Sequence, residues 1–112
     1  MKDTPDANAI VSEMRYQSSI EPGLHCELDV YLNAALGQLY IKMTVEDHSM
    51  NPDNDRTYVD YVPVSAEEVE ALREEGGRDA ALMVADLSKG RRCIVKNNGS
   101  HHFGQCYFNA FL

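Results

Sequence analysis

Cys93, His101, His102 and Cys106 lie close together near the C-terminal end and form the one group with the look of a metal centre. Zinc takes nitrogen and sulfur donors of this kind in a tetrahedral array. Adjacent residues on a strand, however, point to opposite faces, so His101 and His102 cannot both face one ion. His25 and His48 have no grouping with them. A surface hairpin tip over buried thiols accounts for all four residues, and no metal or cofactor is expected. The segment Asp47 to Asp55 offers oxygen donors at Asn51, Asp53, Asn54 and Asp55. It lacks the glycine and the closing glutamate that a helix–loop–helix calcium site requires, so it reads as a solvated turn. Ser100-His101 and His48-Ser49 set a hydroxyl beside an imidazole, but no G-x-S-x-G elbow is present. Cys106 with His101 or His102 would make a thiol–imidazole pair. The strand carrying Cys106 reads as buried, where thiols are inert. There is no phosphate-binding glycine loop. These residues point away from an enzyme, and no catalytic residue is assigned.

Two further clusters suit binding rather than catalysis. Lys89-Gly90-Arg91-Arg92 could hold a phosphate or pair with the acidic middle of another copy of the chain, although cations at the end of a helix also simply complement its dipole. Tyr31 and Tyr40 offer large, stiff side chains with polar tips, the kind enriched at protein interfaces. The elements that carry them can be read from residues 24–46. Leu24, Cys26, Leu28, Val30 and Leu32 alternate with His25, Glu27, Asp29, Tyr31 and Asn33. After Ala34-Ala35-Leu36-Gly37 the parity reverses. Leu39, Ile41, Met43 and Val45 then alternate with Gln38, Tyr40, Lys42, Thr44 and Glu46. Period 2 on both sides of a short loop predicts an antiparallel hairpin. One register puts Leu32 opposite Leu39, Val30 opposite Ile41, Leu28 opposite Met43 and Cys26 opposite Val45. The same register puts Tyr31 opposite Tyr40, Asp29 opposite Lys42 and His25 opposite Glu46, and a slip of one residue would spoil both faces.

The remaining elements follow from local signals. Thr4-Pro5 opens a helix whose apolar stripe is Ala7, Ile10, Val11 and Met14, and which ends before Glu21-Pro22-Gly23. A strand over Thr57 to Val62 is expected to stop at Pro63 and to lie at a sheet edge. Ser65 and Glu68 make a capping box, with Val64 and Val69 as the hydrophobic staple. Gly76-Gly77 interrupts the helix, leaving one kinked helix or two. Asp79 is the expected cap of the second part and Gly90 its stop. Asn98-Gly99 predicts a second hairpin, with Ile94 opposite Phe103, Val95 opposite His102 and Lys96 opposite His101. Gly104 suggests a bulge, and the tail Cys106 to Leu112 is apolar on both faces. The expected architecture is a single α+β domain spanning residues 1–112. It has an antiparallel sheet of about five strands, order α-β-β-β-α(α)-β-β, with helices packed on one face.

The charge of −8 argues against direct nucleic-acid binding, which needs a basic face. The charge is segregated: residues 46–79 hold eleven acids and three bases, and residues 80–112 hold one acid and four bases. An acidic middle of this kind steers basic partners, although a solvated helix face would look the same. The longest apolar runs are too short to span a membrane. The N-terminus has no apolar core of a signal peptide, and three cysteines without a C-x-x-C suit a reducing cytosol. The expected function is a small cytoplasmic protein-binding module, an inhibitor or antagonist docking on a larger basic protein such as nucleic-acid-handling machinery. Its contact residues would be Tyr31, Tyr40 and Asp29 with Glu67, Glu70 and Glu74. The alternatives are a homo-oligomeric subunit joined through the C-terminal strand, or a small metal- or ligand-binding enzyme using His101, His102 and Cys106.

Overall fold

The computed structural model describes residues 6–23, 26–47, 56–97 and 99–106. Its elements are α1 (Ala7–Ser12), β1 (Met14–Gly23), β2 (Cys26–Asn33), β3 (Gln38–Asp47), β4 (Arg56–Val64), α2 (Ala66–Glu75), α3 (Gly77–Ser88), β5 (Cys93–Asn97) and β6 (Ser100–Gly104). Among the described residues, six strands form one antiparallel sheet in the order β1-β2-β3-β4-β5-β6. The fold is therefore α+β, with one strand more than the periodicity suggests. No helix among the described residues is long and apolar enough to cross a membrane.

The central hairpin has the expected register from Cys26 opposite Val45 to Leu32 opposite Leu39. The last hairpin likewise sets Ile94 against Phe103, Val95 against His102 and Lys96 against His101. Gly104 pairs directly with Cys93 and ends β6, so it marks a strand end and not a bulge. Ser65 accepts from the Glu68 N–H (3.1 Å) while the Glu68 carboxylate accepts from the Ser65 N–H (2.9 Å), which completes the capping box. Gly76-Gly77 separates two helices. Gly76, at φ 66, caps α3 in place of the expected Asp79. Thr4, Pro5, His25, Asn98 and the tail beyond Cys106 lie outside the described residues, as does the proposed oxygen-rich loop from His48 to Asp55.

Two further expectations are corrected. The first helix stops at Ser12, capped by Asp6, and Met14 begins a ten-residue strand. The second concerns Pro63, which does not end its strand at an edge. β4 runs to Val64 and lies between β3 and β5. β5 pairs with β4 only at Asp60 and Tyr61, and the Pro63 carbonyl accepts from Arg91 Nη1 (2.9 Å). The N–H and C=O of one residue leave a strand on the same side. The donor that proline lacks would therefore face Arg91, where the ladder has already ended.

The two faces of the sheet carry separate cores. On one, Leu28, Val30, Ile41, Met43, Val62 and Val64 pack against Val69 and Leu72 of α2 and Ala80, Ala81 and Val84 of α3. On the other, Ala7 and Ile10 of α1 pack against Tyr40, Tyr61 and Ile94. The two longer helices share one face, as expected, while short α1 partly covers the opposite one. Asn33 joins α1 to the sheet from a buried position. Its Nδ2 donates to the Ile10 carbonyl (3.0 Å), and its Oδ1 accepts from the Leu36 N–H (3.1 Å). On the outer strand β1, Gln17 Nε2 donates to the Arg15 carbonyl (3.1 Å). Arg73 Nη1 donates to the Ser19 carbonyl (3.4 Å), and its Nη2 donates to Ser18 Oγ. Side chains thus occupy backbone acceptors that an edge strand would otherwise offer to another chain.

Asn33→Ala takes one hydrogen bond from the Ile10 carbonyl, which keeps the Glu13 N–H (3.3 Å), and one from the partly buried Leu36 N–H. It is expected to cost about 1–3 kcal/mol, at roughly 0.5–1.5 kcal/mol net for each hydrogen bond. Chemical denaturation of the wild type and the variant measures this directly.

Candidate functional site

Four rings stand in a row on the face that α1 only partly covers. Tyr16 of β1 meets Tyr31 of β2 edge to face, with centroids 5.8 Å apart and planes at 78°. Tyr31 meets Tyr61 of β4 at 6.4 Å and 81°, and Tyr61 meets His101 of β6 at 5.8 Å and 64°. Strand pairing brings these residues together. Tyr16 is opposite Tyr31, while Tyr61 is opposite Lys42, whose other neighbour is Asp29. The Lys42 ammonium lies 5.7 Å from the Tyr31 ring and 6.0 Å from the Tyr61 ring, within cation–π range.

The free end of the row is also held. The Tyr16 and Ser19 hydroxyls share a hydrogen bond (2.7 Å), and Ser19 Oγ donates to Asp29 Oδ1 (2.7 Å). Tyr16 is nevertheless 56% exposed. Ser19, Glu27 and Asp29 line a pocket of about 280 Å³ beside it. Burial pushes the Tyr31 hydroxyl pKa up, with Asp29 and Tyr16 adding to the shift. Burial, then Tyr31, does the same to Tyr61. Both stay protonated donors at neutral pH. The His101 pKa is pushed down by burial and then by Lys96, Lys42 and His102, so its ring favours the neutral form.

The expected contact residues divide into three groups. Tyr31 and Asp29 belong to the row. Tyr40 is paired opposite Tyr31 as expected, but it is only 6% exposed because α1 lies over it, so it serves the core and not the surface. Glu67, Glu70 and Glu74 are exposed on α2, which packs on the other face of the sheet, so they share no site with the tyrosines. Lys42 stands on the tyrosine face opposite Asp29, as the alternation predicts. Tyr16, Ser19 and His101 are the residues that sequence reasoning misses: the helical spacing runs past Tyr16, and only strand pairing brings Ser19 and His101 to this face.

The catalytic and metal alternatives gain no geometry. His101 and His102 point to opposite faces, His101 beside Tyr61 and Asn8, and His102 opposite Val95. Among the described residues no group of three His, Cys, Asp or Glu side chains could hold a metal ion. Cys26, Cys93 and Cys106 are buried thiols outside any disulfide. Burial raises the Cys26 and Cys93 thiols to about 11. Cys106 donates to Oδ2 of Asp60 (2.9 Å), a carboxyl with no exposed surface. The lone acid inside the apolar run Tyr58 to Val62 is the sequence signal for that buried contact. The basic cluster is committed to internal partners. Arg91 forks onto Glu68 (2.8 and 2.5 Å), Lys89 meets Asp86 (3.7 Å), and the Arg92 guanidinium stacks over Phe103 (3.9 Å). No family model matches the chain, and no curated protein and no solved structure matches it.

Two measurements test this electrostatic picture. The Arg91 hydrogen bond, with the Ser65 N–H, lowers the Glu68 pKa from 4.5 to about 2. Its stabilisation is complete above 4.5 and is lost as pH falls toward 2; Glu68→Gln should flatten that limb of a denaturation-versus-pH curve. His101 has its folded-state value below 6.5, so stability should also slip as pH drops below 6.5, and His101→Gln should remove that step. At pH 8, a thiol raised from 9 to about 11 carries about a hundredfold less thiolate. An aromatic disulfide reagent should therefore leave Cys26 and Cys93 almost unreacted in the native chain and titrate all three thiols in denaturant.

Proposed function

We propose that the chain is a small cytoplasmic protein-binding module that docks the Tyr16–Tyr31 part of its sheet on a basic surface of a larger protein. The observation that carries this reading is the exposed, tethered end of the aromatic row. Tyr16 stands 56% exposed, braced by Tyr31 and by the hydroxyl chain through Ser19 to Asp29. A ring already held in place loses little conformational entropy on binding, so its buried area goes largely into affinity.

Charge selects the partner. Glu27, Asp29 and Glu46 share this face, and the nearest cation, Lys42, is already engaged by two rings. A partner arginine or lysine would meet both carboxylates and ring faces there. The rings are packed edge to face, which leaves no row of open faces on which nucleic-acid bases could stack. The acids of α2, on the far side of the sheet, lengthen the reach of the field without touching the partner. Covering a surface of the partner is how a module of this size would act as an inhibitor or antagonist.

The test is capture of partners by the tagged full-length chain from extract of its source, read by quantitative mass spectrometry at low and high salt. A basic protein captured in stoichiometric amount should be lost at high salt. Tyr16→Ala/Tyr31→Ala should weaken it more than about tenfold, at roughly 1–2 kcal/mol for each interface tyrosine. Tyr16→Ala alone, at an exposed position, controls for misfolding. Glu67→Gln/Glu70→Gln/Glu74→Gln should slow association and leave dissociation unchanged. Retention of the partner by the double tyrosine variant, or an acidic partner, would overturn the reading.

A further inference from the structure

The exposed aromatic row occupies part of the sheet's second face, and the rest of that face lies under α1. We propose that α1 is a detachable strap, opening and closing while the sheet and the α2–α3 layer stay folded. Three observations support this. First, α1 has six residues, half or less of the roughly 12–15 that a helix needs to persist alone in water, so it keeps its form only while seated. Second, its hold is narrow. Ala7 and Ile10 are its buried side chains, one buried hydrogen bond from Asn33 Nδ2 to the Ile10 carbonyl (3.0 Å) ties it to the end of β2, and its polar tethers to β6 sit at the exposed rim. There Asn8 Nδ2 donates to Ser100 Oγ (3.1 Å), and Asn8 Oδ1 accepts from the His101 N–H (2.9 Å). Water can replace contacts at that position. Third, the core under α2 and α3 contains none of the α1 side chains, so its packing does not depend on the strap.

Opening would uncover Tyr40, Tyr61 and Ile94, which are 6%, 5% and 0% exposed with α1 in place. They would join Tyr16 and Tyr31 in one continuous apolar surface. That use of the strap rests on the docking reading above: a basic protein partner would gain the extra area only by displacing α1. The opening itself requires no partner, and the experiment needs none, so a failed capture and a rigid strap are separate results.

The experiment is amide hydrogen exchange on the full chain with increasing guanidinium, below the unfolding transition. The Ile10 amide, bonded to the Asp6 carbonyl, and the His101 amide, bonded to Asn8, report on the strap. The Ile41 and Val62 amides of β3 and β4 report on the whole. Exchange at Ile10 and His101 is expected to be faster and to rise with denaturant less steeply than at Ile41 and Val62, because opening the strap exposes less surface than unfolding the whole chain. Ile10→Ala should speed His101 exchange more than about tenfold, since truncating a buried isoleucine weakens packing by well over a factor of ten, while Ile41 and Val62 change far less. Equal rates and equal denaturant dependence at all four amides of the wild type would overturn the proposal. That comparison decides the matter even if the Ile10 variant does not fold.

Discussion

The structure depends on a central strand that must be covered on both faces. β4 places Asp60, Val62 and Val64 on one side, at 0%, 0% and 3% exposure, and Tyr61 on the other at 5%. A strand apolar on both sides cannot sit in a sheet with a bare face. The chain meets this demand twice. Directly after β4 it builds α2 and α3 and lays them over one face before returning as β5 beside β4. On the other face it places α1, the first element, against Tyr40, Tyr61 and Ile94. Arg91 seals the site where β5 stops short, bridging the Pro63 carbonyl and the Glu68 carboxylate at the start of α2. One guanidinium thereby links the sheet, the helix cap and the return strand, and the bidentate geometry makes it a strong link.

The two covers are unequal, and the functional surface follows from that difference. Helices of ten and twelve residues close the first face. Six residues close only part of the second, and the aromatic row begins where that cover ends. At its open end Tyr16 and Tyr31 lean on each other, and Tyr31 on Lys42, so these two rings are ordered without being buried. The acids of α2 belong to the opposite side, so steering charge and contact surface are separated by the thickness of the sheet. Such a division lets long-range attraction and short-range fit be set by different residues.

Legibility in the sequence varied with how local each signal was. The capping box, the break at Gly76 and both hairpin registers were readable because each depends on neighbours in the chain or on strict alternation. β1 was not readable. Ala7, Ile10, Val11 and Met14 repeat at helical spacing, and the pattern carries past the true end at Ser12. The strand that follows hides its own period. Tyr16 pairs with Tyr31 and Ile20 with Leu28, on opposite faces, because an irregularity between Tyr16 and Ser18 shifts the register by one. Residues four apart should share a face, and the bulge breaks that rule.

The sequence by itself determined which residues alternate, where chains turn and where helices begin, because dihedral preferences and side-chain parity act over a few residues. It also determined the overall charge and its segregation. Only the tertiary structure decided which surface is open. Tyr31 and Tyr40 lie on the same face and sit opposite each other, and nothing in their neighbourhood distinguishes them. Tyr40 is buried and Tyr31 is not because α1, far away in the chain, happens to lie over one of them. Likewise Tyr16, Tyr31, Tyr61 and His101 form a row because β1, β2, β4 and β6 lie in one sheet, with β3 and β5 between them, and long-range pairing of that kind leaves no mark on local pattern.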